Sequence, residues 1–114
     1  MATILYGIPN CDTVRKARKW LDQHDIDYTF HDLRKDGLTT QHITGWAKAV
    51  GYDTLINRRG TTWRQMDDST QQKLSTSPSA SALVEHPTLI KRPVLQTGKH
   101  IEVGFKPEQY NLLF

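Results

Sequence analysis

The first third of the chain alternates between strand-like and helix-like spacing of its apolar residues. Residues 3–8 form a short β-rich run that ends at a proline and an asparagine, which is typical of a strand followed by a turn. Apolar residues then recur at helical spacing, with basic residues between them, and predict a helix from about Asp12 to His24. Residues 28–33 alternate again, as in a second strand. This order predicts a parallel strand pair joined by a crossover helix.

The middle of the chain carries a helical pattern that weakens toward residue 85. Between residues 43 and 50, apolar side chains at positions i, i+3, i+4 and i+7 predict one buried helical face, and Gly51 marks its end. Residues 57–64 are polar, basic and turn-like. Residues 69–85 carry a weaker pattern that predicts two short helices.

The last part of the chain predicts a hairpin and a final helix. Residues 94–96 and 101–103 are strand-like and flank a Thr-Gly-Lys-His turn. Pro107 suits the first turn of a last helix. Together with the earlier elements, this pattern predicts an α/β fold in which helices surround a mixed sheet.

Composition limits the kind of protein this chain can be. Its 114 residues, of which 37% are hydrophobic, predict a single domain over residues 1–114 with one core. The net charge of +3 is too small to indicate nucleic acid as a partner. The longest apolar runs are a few residues, whereas a bilayer span needs about 20, and no secretory signal is visible. We therefore expect that neither nucleic acid nor a membrane is a partner. We also expect the protein to be a monomer.

The lone cysteine, Cys11, is the strongest candidate for chemistry. An intramolecular disulfide is impossible, and a single thiol suits the reducing cytoplasm, which is the predicted location. A free cysteine is usually a small buried hydrophobe, but polar turn residues flank this one. It stands where a helix begins, and the unpaired N–H groups and dipole at such a site favour a thiolate. Arg15 lies about one turn further on, and Asp12 is a candidate helix cap.

Spacing excludes several other cysteine and metal chemistries. A Cys-x-x-Cys redox pair would need cysteine at position 14, which is Val14, and a phosphatase loop would need arginine at position 17, which is Ala17. The five histidines are scattered without metal-ligand spacing, so no metal is predicted. No glycine-rich phosphate loop supports a nucleotide cofactor.

Two basic loops are candidates for an anion site. Residues 58–64 contain three arginines, and Lys91 and Arg92 precede a predicted strand. Arginine forks match carboxylates and oxyanions in a bidentate way. If the fold brings these loops to Cys11, they form an anion pocket beside a thiolate. The alternative is a solvated basic face.

Three segments of the chain resemble the arsenate reductase (ArsC) / Spx family, and its YffB-like branch most closely. They are residues 6–17, 57–64 and 90–94, in the family's order and spacing. The resemblance covers essentially the whole chain. It implies a thioredoxin-like (glutaredoxin-like) mixed sheet with a helical insertion over about residues 40–86. It also implies that Arg92 and Pro93, which is typically cis in such folds, lie across from Cys11.

The activity implied by the resemblance is that of a glutathione-dependent thiol–disulfide oxidoreductase, similar to an arsenate reductase. Cys11 is the implied catalytic residue, and it would form a mixed disulfide with glutathione because no second cysteine is present. Glutathione is then a co-substrate, with no tightly bound cofactor; glutaredoxin is a possible protein partner, and the substrate is a disulfide or an oxyanion. The implied substrate- or glutathione-binding residues are Asn10, Asp12, Thr13, Arg15, Arg59, Arg92 and Pro93.

Two alternatives stay open beside this activity. Glutaredoxin-coupled arsenate reductases place three arginines around the cysteine, and Arg92 matches one of them. Asn57 falls at the position of the second arginine, and Arg59 is displaced beside it. Gly104 falls near the position of the third arginine, where Lys106 is the nearest cation. A true arsenate reductase is one alternative. The other is a regulatory protein-binding module, since Spx members are similar to RNA-polymerase-binding regulators.

Overall fold

Four short strands form one mixed sheet in the computed structural model, which describes residues 2–114. The strands are β1 (Thr3–Gly7), β2 (Thr29–Asp32), β3 (Val94–Thr97) and β4 (His100–Val103). Their order across the sheet is β2-β1-β3-β4. β1 runs parallel to β2, and β3 runs antiparallel to both β1 and β4. The predicted parallel pair, the hairpin and the thioredoxin-like arrangement are confirmed.

Seven helices accompany the sheet within the described residues. They are α1 (Asp12–Gln23), α2 (Thr40–Val50), α3 (Tyr52–Leu55), α4 (Thr61–Arg64), α5 (Asp68–Thr76), α6 (Ala80–Glu85) and α7 (Pro107–Leu113), with a 3₁₀ turn over Pro87–Leu89 between α6 and β3. Among these helices, none is both long enough and apolar enough to cross a membrane.

The chain divides into two compact units. The residues up to Gly37 and Arg92–Phe114 form the first, which we call the sheet unit; Leu38–Lys91 form the second, which we call the helical unit. The insertion predicted at about residues 40–86 falls inside the helical unit.

The core of the sheet unit joins α1, α7 and the two central strands. The helical spacing correctly marked the buried face of α1, to which Trp20 adds its indole. The buried cluster consists of Leu5, Ala17, Trp20, Leu21, Leu95 and Tyr110. The ring of Tyr110 meets Trp20 and Phe105 edge to face, a favoured aromatic geometry.

The helical unit begins with a side-chain cap that the apolar pattern did not predict. The hydroxyl of Thr39 accepts from the His42 N–H at 3.3 Å, and Nδ1 of His42 accepts from the Thr39 N–H at 3.1 Å. This capping box starts α2 three residues before the first apolar position. Gly51, at φ 84°, ends α2 as expected. α3 and α4 were missed because one helical turn is too short to show a period, and α4 lies in the segment predicted as turn-like.

Candidate active site

Cys11 lies where the chain leaves β1 and enters α1. It is the residue before the first turn, in an extended conformation, and its carbonyl accepts the Arg15 N–H at 2.9 Å. A Cβ added to Gly7 would lie 2.8 Å from a methyl carbon of Val14, so glycine at the end of β1 lets the helix start this close to the sheet. The thiol is partly exposed. The predicted position of Cys11 at a helix start is confirmed.

The surroundings of Cys11 favour its ionised form. Burial raises the pKa of the thiol, but the backbone N–H of Val14, the guanidinium of Arg92 and the N–H of Thr13 outweigh that effect, and the pKa is lowered. Two of these groups belong to the first turn of α1, where N–H groups have no partner inside the helix. The third is a cation that also donates a hydrogen bond to the sulfur. A thiolate of this kind is the form that acts as a nucleophile.

Arg92 reaches Cys11 because of the way β3 pairs with β1. Val94 lies opposite Tyr6, so the two residues before β3 lie beside the end of β1. The Arg92–Pro93 peptide bond is cis, as the resemblance implied. Pro93 is fully buried, and its carbonyl accepts the Gly104 N–H at 2.8 Å. The expected juxtaposition of Arg92 with Cys11 is therefore observed, while the binding roles of Arg92 and Pro93 stay predictions.

Asp12 and Arg15 form an ion pair on the first turn of α1, and Asp12 does not cap the helix. Cys11 takes the cap position of α1 and Asp12 is already the first helical residue, so the expectation that Asp12 caps the helix was wrong. The Asp12 carboxylate instead accepts a hydrogen bond from the Arg15 guanidinium. Both side chains are mostly exposed, and an exposed ion pair of this kind contributes little to stability.

Arg59 belongs to the helical unit, in the turn before α4. Its N–H donates to Oδ1 of Asn57 at 3.2 Å. In the same loop, Arg58 pairs with Asp53 at 3.0 Å and stacks its guanidinium on the Trp63 ring at 5.5 Å. One arginine of this basic loop is thus engaged inside the helical unit. A binding role for Arg59 beside Cys11 stays a prediction.

A groove of about 400 Å³ adjoins the turn that carries Cys11. It is lined by Ile8, Pro9, Asn10, Asp32, Arg34 and Lys35. The sequence analysis named Asn10 but missed the three charged residues. The parallel pairing of β1 with β2 was the available signal, because parallel strands bring their carboxyl ends to one edge of a sheet. Across the described residues, no group of histidine, cysteine, aspartate and glutamate has the geometry of a metal site.

Comparison with known proteins finds relatives that match nearly the whole chain. An uncharacterized protein of Haemophilus influenzae is 46% identical over 111 residues, covering 96% of each chain. The global transcriptional regulator Spx 2 of Bacillus cereus is 27% identical over 108 residues, which cover 93% of this chain and 82% of the regulator.

Solved structures and a family model agree with these relatives. The structure of a YFFB protein superposes with a TM-score of 0.91 at 40% identity, covering 97% of both chains. The solution structure of an arsenate reductase (ArsC) related protein from Brucella melitensis has a TM-score of 0.79 at 41% identity, covering 98% of this chain and 93% of that one. The ArsC family model matches residues 6–113. The chain therefore belongs to the ArsC family, as its three sequence segments had indicated.

Proposed function

We propose that the protein is a glutathione-dependent thiol–disulfide oxidoreductase in which Cys11 is the nucleophile. The observation that carries the proposal is the environment of the thiol. Cys11 is partly exposed, and the first turn of α1 together with Arg92 lowers its pKa. The chain belongs to the ArsC family, and one relative of known structure is named an arsenate reductase (ArsC) related protein. Both findings support thiol-based redox chemistry.

The proposed reaction is a pair of thiol–disulfide exchanges. The Cys11 thiolate attacks the glutathione sulfur of a mixed disulfide substrate, the substrate's S–S bond breaks, and the substrate leaves as a thiolate with the bonding electrons. Cys11 is then joined to glutathione. A second glutathione thiolate attacks the glutathione sulfur of that adduct, which releases glutathione disulfide and restores the Cys11 thiolate. A second glutathione is needed because this chain has one cysteine and no internal thiol can resolve the adduct.

Arg92 has two roles in this scheme. Its charge stabilises the attacking thiolate, and it stabilises Cys11 again when the adduct breaks and the sulfur leaves as an anion. Thr13 and Val14 assist through their N–H groups. Asn10, Arg59 and Pro93 are proposed to contact bound glutathione, and Asp12 and Arg15 to shape the rim beside the thiol.

A regulatory role is the second candidate, since a relative with 27% identity is named a global transcriptional regulator. In that case Cys11 would be dispensable for partner binding, and the chain would bind a protein through its surface. Arsenate reduction is a third candidate. It requires an oxyanion beside Cys11, and Arg92 is the cation that contacts this thiol.

The decisive experiment is alkylation of Cys11 across pH, followed by intact mass after exposure to glutathione disulfide. Because the chain has one cysteine, every alkylation event reports the same thiol. We expect the rate to follow a titration below the value of about 8.5 for free cysteine. We also expect a single glutathione adduct that excess glutathione removes.

One control and one further assay make this result specific. Unfolding the protein in urea should return the alkylation profile to that of free cysteine, because the helix start and Arg92 no longer surround the sulfur. Adding arsenate with glutathione and glutaredoxin tests the oxyanion alternative directly. A thiol that stays unreactive and takes no glutathione in the folded protein would contradict the enzyme and favour the regulatory candidate.

A further inference from the structure

The turn that carries Cys11 has a neighbouring strand on each side. The sheet order places β3 on one side of β1 and β2 on the other. On the β3 side, Arg92 contacts the sulfur. On the β2 side, the groove described above opens, and Asn10, the residue bonded to Cys11, forms part of its wall. The groove therefore adjoins, along the chain, the residue that would carry the ligand.

The β2 side of the groove is a turn held by backbone hydrogen bonds. Gly7 and Asp32 are register partners, and the Leu33 N–H donates to the Gly7 carbonyl at 2.9 Å. Oδ1 of Asp32 accepts the N–H groups of Arg34 and Lys35, at 2.9 and 3.1 Å. These contacts fix the backbone of a turn whose two basic side chains are exposed at the groove. The cations are thus carried on an ordered segment.

The charges of the groove are mixed in sign. Arg34 and Lys35 supply two cations, and Asp32 supplies one carboxylate. A carboxylate has about four lone-pair sites, of which two on Asp32 receive backbone N–H groups, so acceptor capacity remains. Asn10 adds an amide that donates and accepts. A ligand that carries both an ammonium and a carboxylate satisfies this set better than a lone anion, which Asp32 would repel.

The size and apolar part of the groove fit the same ligand. The groove is open to solvent, and its volume of about 400 Å³ leaves room for one end of a small ligand. Of its two apolar lining residues, Ile8 is buried and Pro9 is exposed, and the apolar surface of Pro9 suits a short chain of methylene groups. An α-amino acid head group at the end of two methylenes is the γ-glutamyl end of glutathione.

We propose that the groove binds the γ-glutamyl end of glutathione while the glutathione sulfur reacts with Cys11. Arg34 and Lys35 hold the α-carboxylate, and Asp32 with Asn10 holds the α-ammonium. The inference rests on the proposed function, because it needs glutathione at Cys11. In the reaction tested below, the Cys11 thiolate attacks one sulfur of a disulfide, a Cys11–S–S bond forms, the original S–S bond breaks, and one thiolate leaves with the electron pair.

The test compares rates of adduct formation at Cys11 for four disulfides. They are glutathione disulfide, oxidised γ-glutamylcysteine, oxidised cysteinylglycine and hydroxyethyl disulfide. The first two contain the γ-glutamyl end and the last two lack it. The variant is Arg34→Gln with Lys35→Gln, and the matched control is Lys16→Gln with Lys19→Gln. The control removes the same charge from exposed positions of α1. Intact mass over time gives each rate constant.

We expect the groove variant to slow the two γ-glutamyl disulfides by about tenfold, as the loss of charge-assisted hydrogen bonds predicts. The two other disulfides should stay within about twofold of the wild type. The control variant should leave all four rates within about twofold. Unchanged reaction with hydroxyethyl disulfide also demonstrates that the groove variant is folded and its thiol intact.

Other results overturn the inference. Equal slowing of all four disulfides would mean that the two cations act on the thiolate and not on the ligand. Slowing of glutathione disulfide and oxidised cysteinylglycine alone would place the glycine end in the groove. No change in any rate, or the same change in the control variant, would show that the groove does not bind the γ-glutamyl end. If the wild type forms no adduct with glutathione disulfide, the proposed function itself fails, and this outcome is distinct from the others.

Discussion

Three helices of the helical unit begin with a side-chain cap that α1 of the sheet unit lacks, whereas the one-turn helices α3 and α4 and the final helix α7 also begin without one. In the helical unit, Thr39, Asp67 and Ser79 precede α2, α5 and α6, and the side chain of each accepts a backbone N–H of its helix. In the sheet unit, Cys11 precedes α1, and its side chain makes no such cap. Capping residues stabilise a helix by satisfying its unpaired N–H groups. The start of α1 leaves those groups available to the Cys11 thiolate, without the stabilisation that a side-chain cap gives.

The largest expected effect is that of Cys11→Ser, which converts the uncapped helix start into a capped one. We expect all glutathione adduct formation and thiol reactivity to disappear. We also expect the free energy of unfolding to rise by about 1 kcal/mol, because serine is a preferred N-cap residue. Urea denaturation and intact mass measure the two effects. A destabilised variant would show that serine at position 11 caps α1 no better than cysteine does.

The gain in stability from this substitution should depend on pH. The pKa of Cys11 is lowered in the folded protein, so ionisation of the thiol stabilises the wild type at high pH, and this contribution is lost as pH falls through the folded pKa. The advantage of serine should therefore be largest at low pH and shrink as pH rises. An advantage that grows with pH would contradict the lowered pKa.

Arg92→Gln should weaken the thiolate without removing it. The variant loses one charge and one hydrogen bond to the sulfur, so the pKa of Cys11 should rise and alkylation at neutral pH should slow by about tenfold. Arg92→Lys keeps the charge but not the guanidinium fork, and it should recover part of the rate. The pH profile of alkylation separates the two variants. Identical profiles for wild type and Arg92→Gln would assign the lowered pKa to the helix start alone.

Thr39→Ala tests the capped helix start of α2 in the helical unit. Loss of the hydroxyl that caps α2 should lower the free energy of unfolding by about 1 kcal/mol. The alkylation profile of Cys11 should not change, because Thr39 caps α2 and not α1. Circular dichroism in urea and the alkylation assay measure the two quantities. Thr44→Ala is a suitable control, since its exposed hydroxyl bonds only within the same helix, to the Thr40 carbonyl.

Tyr110→Phe should change the free energy of unfolding least, and in the direction opposite to Thr39→Ala. Tyr110 is fully buried in the sheet unit, and among the described residues its hydroxyl has no hydrogen-bond partner. Burial, with a smaller contribution from the charge of Glu102, raises the pKa of Tyr110, so the group stays neutral. Removing an unpaired buried hydroxyl should leave stability unchanged or raise it by up to about 1 kcal/mol. A clear loss of stability in thermal unfolding would mean that the hydroxyl has a partner in solution.

The sheet unit was largely predictable because its signals are local and periodic. The spacing of Val14, Ala17 and Leu21 marked the buried face of α1, and all three are fully buried. The polar turn before Cys11 marked the helix start. The three segments of family resemblance then identified the fold and the contact between Arg92 and Cys11.

The remaining features were not predictable from spacing, for physical reasons. α3 and α4 have four residues each, fewer than a periodic pattern needs. Asp12 was a candidate cap for α1, but the cap position lies one residue earlier, at Cys11. The groove depends on the pairing of β1 with β2, which brings together residues more than 20 positions apart.

The order of the sheet also bears on how the protein behaves at high concentration. β2 and β4 are the edge strands, and each is only four residues long. β2 ends in Asp32, and on β4 the imidazole of His100 lies 3.6 Å from the carboxylate of Glu102. Short edges with charged side chains are poor templates for the addition of another strand. The sheet that carries Cys11 is therefore a poor template for growth into fibrous aggregates.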